Sequence, residues 1–209
     1  MALGKRESLT AADWSEAALR ALAHGGLTAV AVEPLAKALG TTKGSFYWHF
    51  ADRNALLEAA LALWERRDTE GVIAALDETN DVATRLRNLL RLAFMSVRDT
   101  SADDAGTVEL ALQASVSQPL VAATLTRVTK RRLAFLTRLF TELGLSPAAA
   151  RDRGLLAYTS FLGHAQLAHA TPELLPKGRA FTTHVEQVVD ALISGASGRS
   201  SDGGGTAPA

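Results

Sequence analysis

The chain has 209 residues, enough for one domain or two and for a sizeable buried core. Lys plus Arg is 22 and Asp plus Glu is 22, so the net charge is zero with neutral histidines, which excludes a polycation that coats nucleic acid and a polybasic membrane patch but leaves room for a small DNA-reading site. There is no cysteine, so a disulfide framework, a thiolate zinc site, an iron–sulfur cluster and a cysteine nucleophile are excluded as well.

In chain order, residues 1–14 show no apolar run of signal-peptide type. Thr10 and Asp13 then form a capping box with Asp in place of Glu, flanked by Leu9 and Trp14 at the staple positions. The stripe Trp14, Ala17, Ala18, Ala21, Leu22 repeats at helical spacing, and Gly25-Gly26 is expected to stop that helix. A short helix follows from about Ala31 to Leu39 and ends at Gly40. Thr42 caps a second short helix running to about Phe50, and Asp52 caps a longer one that carries Leu56, Ala60, Leu63 and Trp64 on one face.

The helices then lengthen. Leu86, Leu89, Leu90, Ala93, Phe94 and Val97 form one stripe, and Leu133, Leu136, Leu139, Phe140 and Leu143 another, in a helix that begins near Pro119. Ser146-Pro147 is a cap with proline at the first helical position. The helix it opens is apolar nearly all round between Leu155 and Gly163, which calls for cover on two sides. Its most apolar run, 155–168, is interrupted by His164 and Gln166 and is shorter than the roughly 20 residues of a membrane span. A last helix carries Phe181, Val185, Val188, Val189, Leu192 and Ile193, and residues 194–209 read as a disordered tail. No segment alternates like a strand. The expected fold is all-α with about nine helices, and the expected setting is cytoplasmic, with no membrane.

The stretch from Gly26 to Leu57 is the informative one. Two short helices meet at a tight turn around Gly40, with a supporting helix on either side. That is the layout of a helix-turn-helix, whose second helix fits a major groove about 12 Å wide. The second helix has an unusual composition for a solvated surface. Phe46 and Phe50 are four apart and can face a core, while Lys43, Ser45, Tyr47, Trp48 and His49 present donors or flat faces outward. Phosphates want positive charge and hydroxyl donors, and a thymine methyl wants an apolar contact. Gly44 removes a side chain where a backbone can come close to a base.

These residues resemble the N-terminal DNA-binding domain of the TetR family of bacterial transcriptional regulators. The resemblance rests on Leu35-Ala36, Gly40, the run Thr42-Lys43-Gly44-Ser45-Phe46-Tyr47-Trp48-His49-Phe50, and Leu56. It covers roughly residues 9–63. It implies that Thr42 caps the recognition helix and touches the DNA backbone, and that Lys43, Gly44 and Ser45 approach base edges. Tyr47, Trp48 and His49 would hold phosphates or thymine methyls. Arg53 stands where the family usually has a phosphate-binding Lys. Three departures stand out: Ala31 replaces the usual capping Ser or Thr, Pro34 sits in the first turn, and Thr41 replaces an apolar turn residue.

Residues 1–54 contain six bases and five acids, a net charge of +1. A head so weakly charged is expected to bind DNA through a few placed contacts rather than bulk attraction. Lys5 and Arg6 read first as a solvated terminus and second as a flexible arm for a minor groove.

Elsewhere the residues point to less. Arg127, Lys130, Arg131, Arg132 and Arg138 form a basic stretch, expected to be a solvated helix face paired with Asp99, Asp103, Asp104 or Glu109. His164 and His169 are five apart and share no helix face, so no zinc site is expected, and no cofactor is implied. No nucleophile spacing or Gly-rich phosphate loop gives an enzyme a foothold. Trp64, Phe94, Phe135, Tyr158 and Phe161 either fill the core or line an effector pocket, with His164 and Gln166 as polar anchors. The expected organisation is a DNA-binding head (1–54), a helical ligand-binding and dimerisation domain (55–193) and the tail (194–209). By resemblance, the protein is a homodimeric repressor that binds a pseudo-palindromic double-stranded DNA operator and is released when a small apolar effector moves the fourth helix. The rival reading is a helical ligand-binding or protein-interaction module with a vestigial DNA head.

Overall fold

The structure is a computed structural model that describes residues 9–77, 81–96 and 105–194. Among these residues there is no strand. The order is α1 (Ala11–Ala29), α2 (Val32–Ala38), α3 (Lys43–Tyr47), α4 (Arg53–Glu65), a π turn (Arg66–Gly71), α5 (Val72–Asp77), α6 (Val82–Ser96), α7 (Ala105–Gln113), α8 (Pro119–Glu142), α9 (Pro147–Ala170), a 3₁₀ turn (Pro172–Leu174) and α10 (Arg179–Ser194). Since α4 runs into α5 through the π turn with no loop, the described residues hold nine separate helical stretches. The expected all-α fold is what forms. The expected tail lies outside the described residues, apart from Ser194, which closes α10.

The helix boundaries follow from side chains that satisfy end groups the helix itself leaves bare. Asp13 Oδ2 accepts from Thr10 N at 2.7 Å while Asp13 N donates to Thr10 Oγ1, so the Asp version of the capping box closes. Thr42, Asp52 and Ser146 each accept from the backbone N–H three residues on, at 3.3, 2.8 and 3.3 Å. Gly26 breaks α1 with φ 65° and ψ −166°, as the glycine pair predicts, although helical hydrogen bonding resumes as far as Ala29. The π turn, α5 and α7 were not legible. Among the described side chains of α7, Val108 and Leu112 are the buried apolar ones, with Glu109 buried between them, so its pattern carries little helical signal.

Packing divides the chain into two compact units, residues 1–71 with 99–128 and residues 72–98 with 129–209. In the first, Trp14, Ala18 and Leu22 of α1 meet Leu56, Ala60 and Trp64 of α4, and Leu35, Phe46 and Phe50 close one side. Val108 and Leu112 of α7 and Val121 and Val128 of α8 belong to the same core. In the second unit, Leu86, Leu90 and Phe94 of α6 share a core with Phe135, Leu139 and Phe140 of α8, Ala157 and Tyr158 of α9, and Phe181, Val185 and Val189 of α10. Gly154 lets α9 approach α8 closely. A Cβ there would lie 3.3 Å from Leu136 Cβ and 3.4 Å from the Thr137 nitrogen.

Candidate DNA-binding site

The turn between α2 and α3 is fixed by the backbone. Leu39 ends α2, and Gly40 takes φ 64°, a left-handed value that favours glycine. Gly40 N then donates to the Lys37 carbonyl at 3.1 Å and Thr41 N to the Ala36 carbonyl at 2.9 Å. Those two bonds are the Schellman pair, and they set the angle at which α3 leaves α2. Thr41 sits in this turn by its N–H, so the loss of an apolar side chain there does not open it.

α3 is anchored from behind. Phe46 is fully buried, edge-on to Trp14 at 5.3 Å and stacked on Phe50 at 5.7 Å. The helix is shorter than the sequence reading to Phe50, because regular α geometry stops at Tyr47. Its bonding nonetheless continues, with His49 N and Phe50 N both donating to the Phe46 carbonyl. With Phe46 and Phe50 held inward, the opposite side faces out: Tyr47 is 55% and Trp48 88% exposed. Lys43 and Gly44 are exposed and Ser45 and His49 half-buried. A Cβ on Gly44 would meet only Thr42 Oγ1, at an ordinary 3.5 Å. Nothing inside the protein therefore requires glycine at that position.

Two cations have partners the sequence did not announce. Arg53 donates through Nε to the Val30 carbonyl at 2.6 Å and through Nη2 to the Leu27 carbonyl. It thus ties the start of α4 to the end of α1, while its side chain remains exposed. Lys43 Nζ donates to Glu33 Oε1 of α2 at 3.0 Å, and this hydrogen bond, with the carboxylate charge, raises the lysine pKa. Glu33 was passed over because ten residues separate it from Lys43 and no periodicity links two short helices across a turn. Ala31 is the N-cap of α2 and makes no side-chain cap, as the departure from the family pattern implies. Lys5 and Arg6 lie outside the described residues.

The aromatic candidates for an effector site separate. Trp64 belongs to the first core, and Phe94, Phe135 and Tyr158, with Phe161 against them, to the second. Within the second unit His164 lies edge-on to Phe94 at 4.8 Å and meets His184 with the two Nε2 atoms 3.0 Å apart. His164 Nδ1 lies 2.9 Å from the Ser160 carbonyl, which can only accept, so Nδ1 carries the proton. Across the contact with His184, one Nε2 donates and the other accepts. His184 escaped the sequence reading because 20 residues and a helix turn separate it from His164. Gln166 is exposed on α9. A groove of about 390 Å³ opens elsewhere, in the first unit, between α1 and α2, lined by Arg20, His24, Pro34, Leu39 and small apolar neighbours. It contains none of the expected effector contacts.

The basic stretch of α8 is a largely solvated face, and two of its arginines pair with acids that the sequence reading did not name. Arg127 forks onto Glu65, with Nε to Oε1 at 2.8 Å and Nη2 to Oε2 at 2.6 Å, and this pairing lowers the Glu65 pKa. Arg138 pairs with Asp77 at 2.6 Å and lies over the Phe135 ring. Asp99, Asp103 and Asp104 lie outside the described residues, and Glu109 is buried. Among the described residues no three His, Asp or Glu are placed to share a metal ion, and no helix is long and apolar enough to cross a membrane.

A short helix pinned from behind, with donors and flat faces outward and a glycine-set turn before it, defines a helix-turn-helix DNA-binding head on a helical body. Residues 16–73 match the bacterial regulatory proteins of the tetR family. The chain is similar in fold to a transcriptional regulator from Rhodococcus sp. Rha1 (20% identity, TM-score 0.71, covering 90% of this chain and 96% of that one). It is similar to a regulator from Saccharomonospora viridis in complex with choline (18%, TM-score 0.72, 88% and 95%). It is also similar to the regulator FadR of Bacillus subtilis in complex with stearoyl-CoA (16%, TM-score 0.68, 88% and 98%). No protein of curated function matches the sequence. Residues 16–73 thus carry the N-terminal domain described by the tetR family model, within a chain whose fold is similar to that of these regulators.

Proposed function

We propose that the protein is a cytoplasmic, ligand-responsive repressor that binds a pseudo-palindromic operator as a homodimer and is released by a small apolar effector. The head is 1–54, the regulatory and dimerisation domain 55–193, and the remainder a tail. Thr42, Tyr47, Trp48, His49 and Arg53 hold the DNA backbone or thymine methyls, and Lys43, Gly44 and Ser45 approach base edges.

The observation that carries the reading is the outward face of α3. An 88%-exposed Trp next to a 55%-exposed Tyr is hard to account for without a partner, and both stand on a helix held rigid by Phe46. Arg53 keeps free donors on its guanidinium after bonding Leu27 and Val30, so its backbone contact is compatible with a phosphate.

The dimer reading draws support from α9, where Leu155, Leu156 and Leu167 are 51%, 50% and 43% exposed. Gly163 stands on the same helix with nothing within 4 Å of a Cβ position, which suits close approach by a second helix. An apolar effector is consistent with the stearoyl-CoA held by the Bacillus subtilis relative. Phe94, Phe135, Tyr158, Phe161 and His164 are its proposed contacts in the second unit, with Trp64 on α4 coupled to the head through the first core. Release requires that the effector bind more tightly to the form in which α4 has moved.

The test is selection of random duplex DNA on the purified protein, followed by sequencing of the retained pool. A two-fold motif with half-sites about one helical turn apart supports the reading. A retained pool without a motif, from folded protein, overturns the operator.

A further inference from the structure

We propose that Glu33 is a specificity-determining residue of the DNA-binding site, acting by holding Lys43 away from indiscriminate phosphate contact. The inference rests on the DNA-binding reading of α3 and goes beyond it to a residue on the neighbouring helix.

Lys43 opens α3 and is one of only six basic residues in a head whose net charge is +1. Its ammonium lies 3.0 Å from Glu33 Oε1, with the lysine side chain 52% and the glutamate side chain 75% exposed. Neither group is buried, so the pair adds little to the stability of the fold. The pair matters at the surface that meets DNA. While it is closed, the lysine charge is compensated and its ammonium is drawn toward α2. A phosphate must then both displace the carboxylate and tolerate a second negative charge beside it. A guanine edge offers O6 and N7 as two acceptors in one place and carries no net charge, so it can take the lysine while leaving Glu33 close by. The same pair that weakens binding to arbitrary duplex thus costs less at the right base. Glu33 does not have to touch DNA, and it is a positioning residue for Lys43.

The experiment compares wild type, Glu33→Gln, Lys43→Met and the double variant by fluorescence anisotropy at several salt concentrations. The probes are the duplex enriched from the random pool and a shuffled duplex of equal composition. Releasing Lys43 adds about one phosphate contact, so Glu33→Gln is expected to steepen the salt slope on shuffled duplex by roughly one. Its affinity for that duplex rises several-fold at moderate salt, and the ratio of selected to shuffled affinity falls. In the Lys43→Met background the same substitution has no such effect, because the cation it controls is gone.

Three results overturn the proposal. One is an unchanged ratio and salt slope in Glu33→Gln. Another is a rise in shuffled-duplex affinity that persists with Lys43→Met, which would make Glu33 a direct repeller of phosphate. The third is an equal loss on both duplexes. Failure of the underlying reading looks different, because wild type would then bind neither duplex.

Discussion

Gly40 carries the geometry of the whole DNA-binding face. Its φ of 64° is left-handed, and a Cβ there would meet nothing within 4 Å, so an alanine would be penalised by the backbone alone. Gly40→Ala is expected to lower stability by about 1 kcal/mol, and Gly40→Asn by less, since Asn tolerates that region better. Urea unfolding checks both, and equal losses would point to a packing role instead. On α3, Ser45→Ala is expected to change which sequences are retained in selection, whereas Tyr47→Phe weakens binding to all of them alike. Uniform losses from both, in an anisotropy titration, would refute that division. Gly44→Ala adds a methyl for which the protein has room, so it should leave the melting midpoint close to wild type while weakening DNA binding. These residues were legible because they sit in one unbroken run with a composition that a solvated helix would not keep. Glu33 and His184 were not, because each acts through a partner that only the fold brings near.

The individual helices were most legible where their ends are chemically marked. Thr10, Thr42, Asp52 and Ser146 all cap as their residue types suggest, because a side-chain oxygen three residues ahead of a bare N–H needs no tertiary help. The π turn at 66–71 had no such mark. The capping box of α1 also has a pH signature. Asp13 has a lowered pKa, first because the Thr10 N–H bonds its carboxylate and then through the Thr10 hydroxyl. A carboxylate depressed in the folded state stabilises above its unfolded value, near 4, and loses that contribution as pH falls through the folded value. Asp13→Asn is therefore expected to melt below wild type at pH 7, with a gap that narrows steadily as pH is lowered below about 4. A gap of the same size at pH 7 and at pH 3 would assign the effect to shape rather than charge.

At the scale of the molecule, the proposed pairing of two copies through α9 makes a direct prediction. Gly163 is exposed and its surroundings are open, so Gly163→Arg is compatible with the folded monomer while placing a long cation in the middle of the apolar face. Sedimentation at micromolar concentration is expected to show a dimer for wild type and a monomer for the variant, with unchanged circular dichroism. A wild-type monomer would remove α9 as the interface. This surface was legible from the sequence as an apolar excess, since α9 is apolar on more sides than its own core covers.

The first core has a consequence for modular exchange. Val108, Leu112, Val121 and Val128 lie in the same core as Trp14 and Leu56. A head cut at residue 54 or 71 would take the proposed DNA-reading surface but leave behind part of the core that α1 and α4 share. Transplanting this reading head onto another regulator therefore means carrying the α7 segment and the first turns of α8 with it, or rebuilding an equivalent wall in the host. The residues proposed to read DNA are contiguous, and those that must travel with them are not.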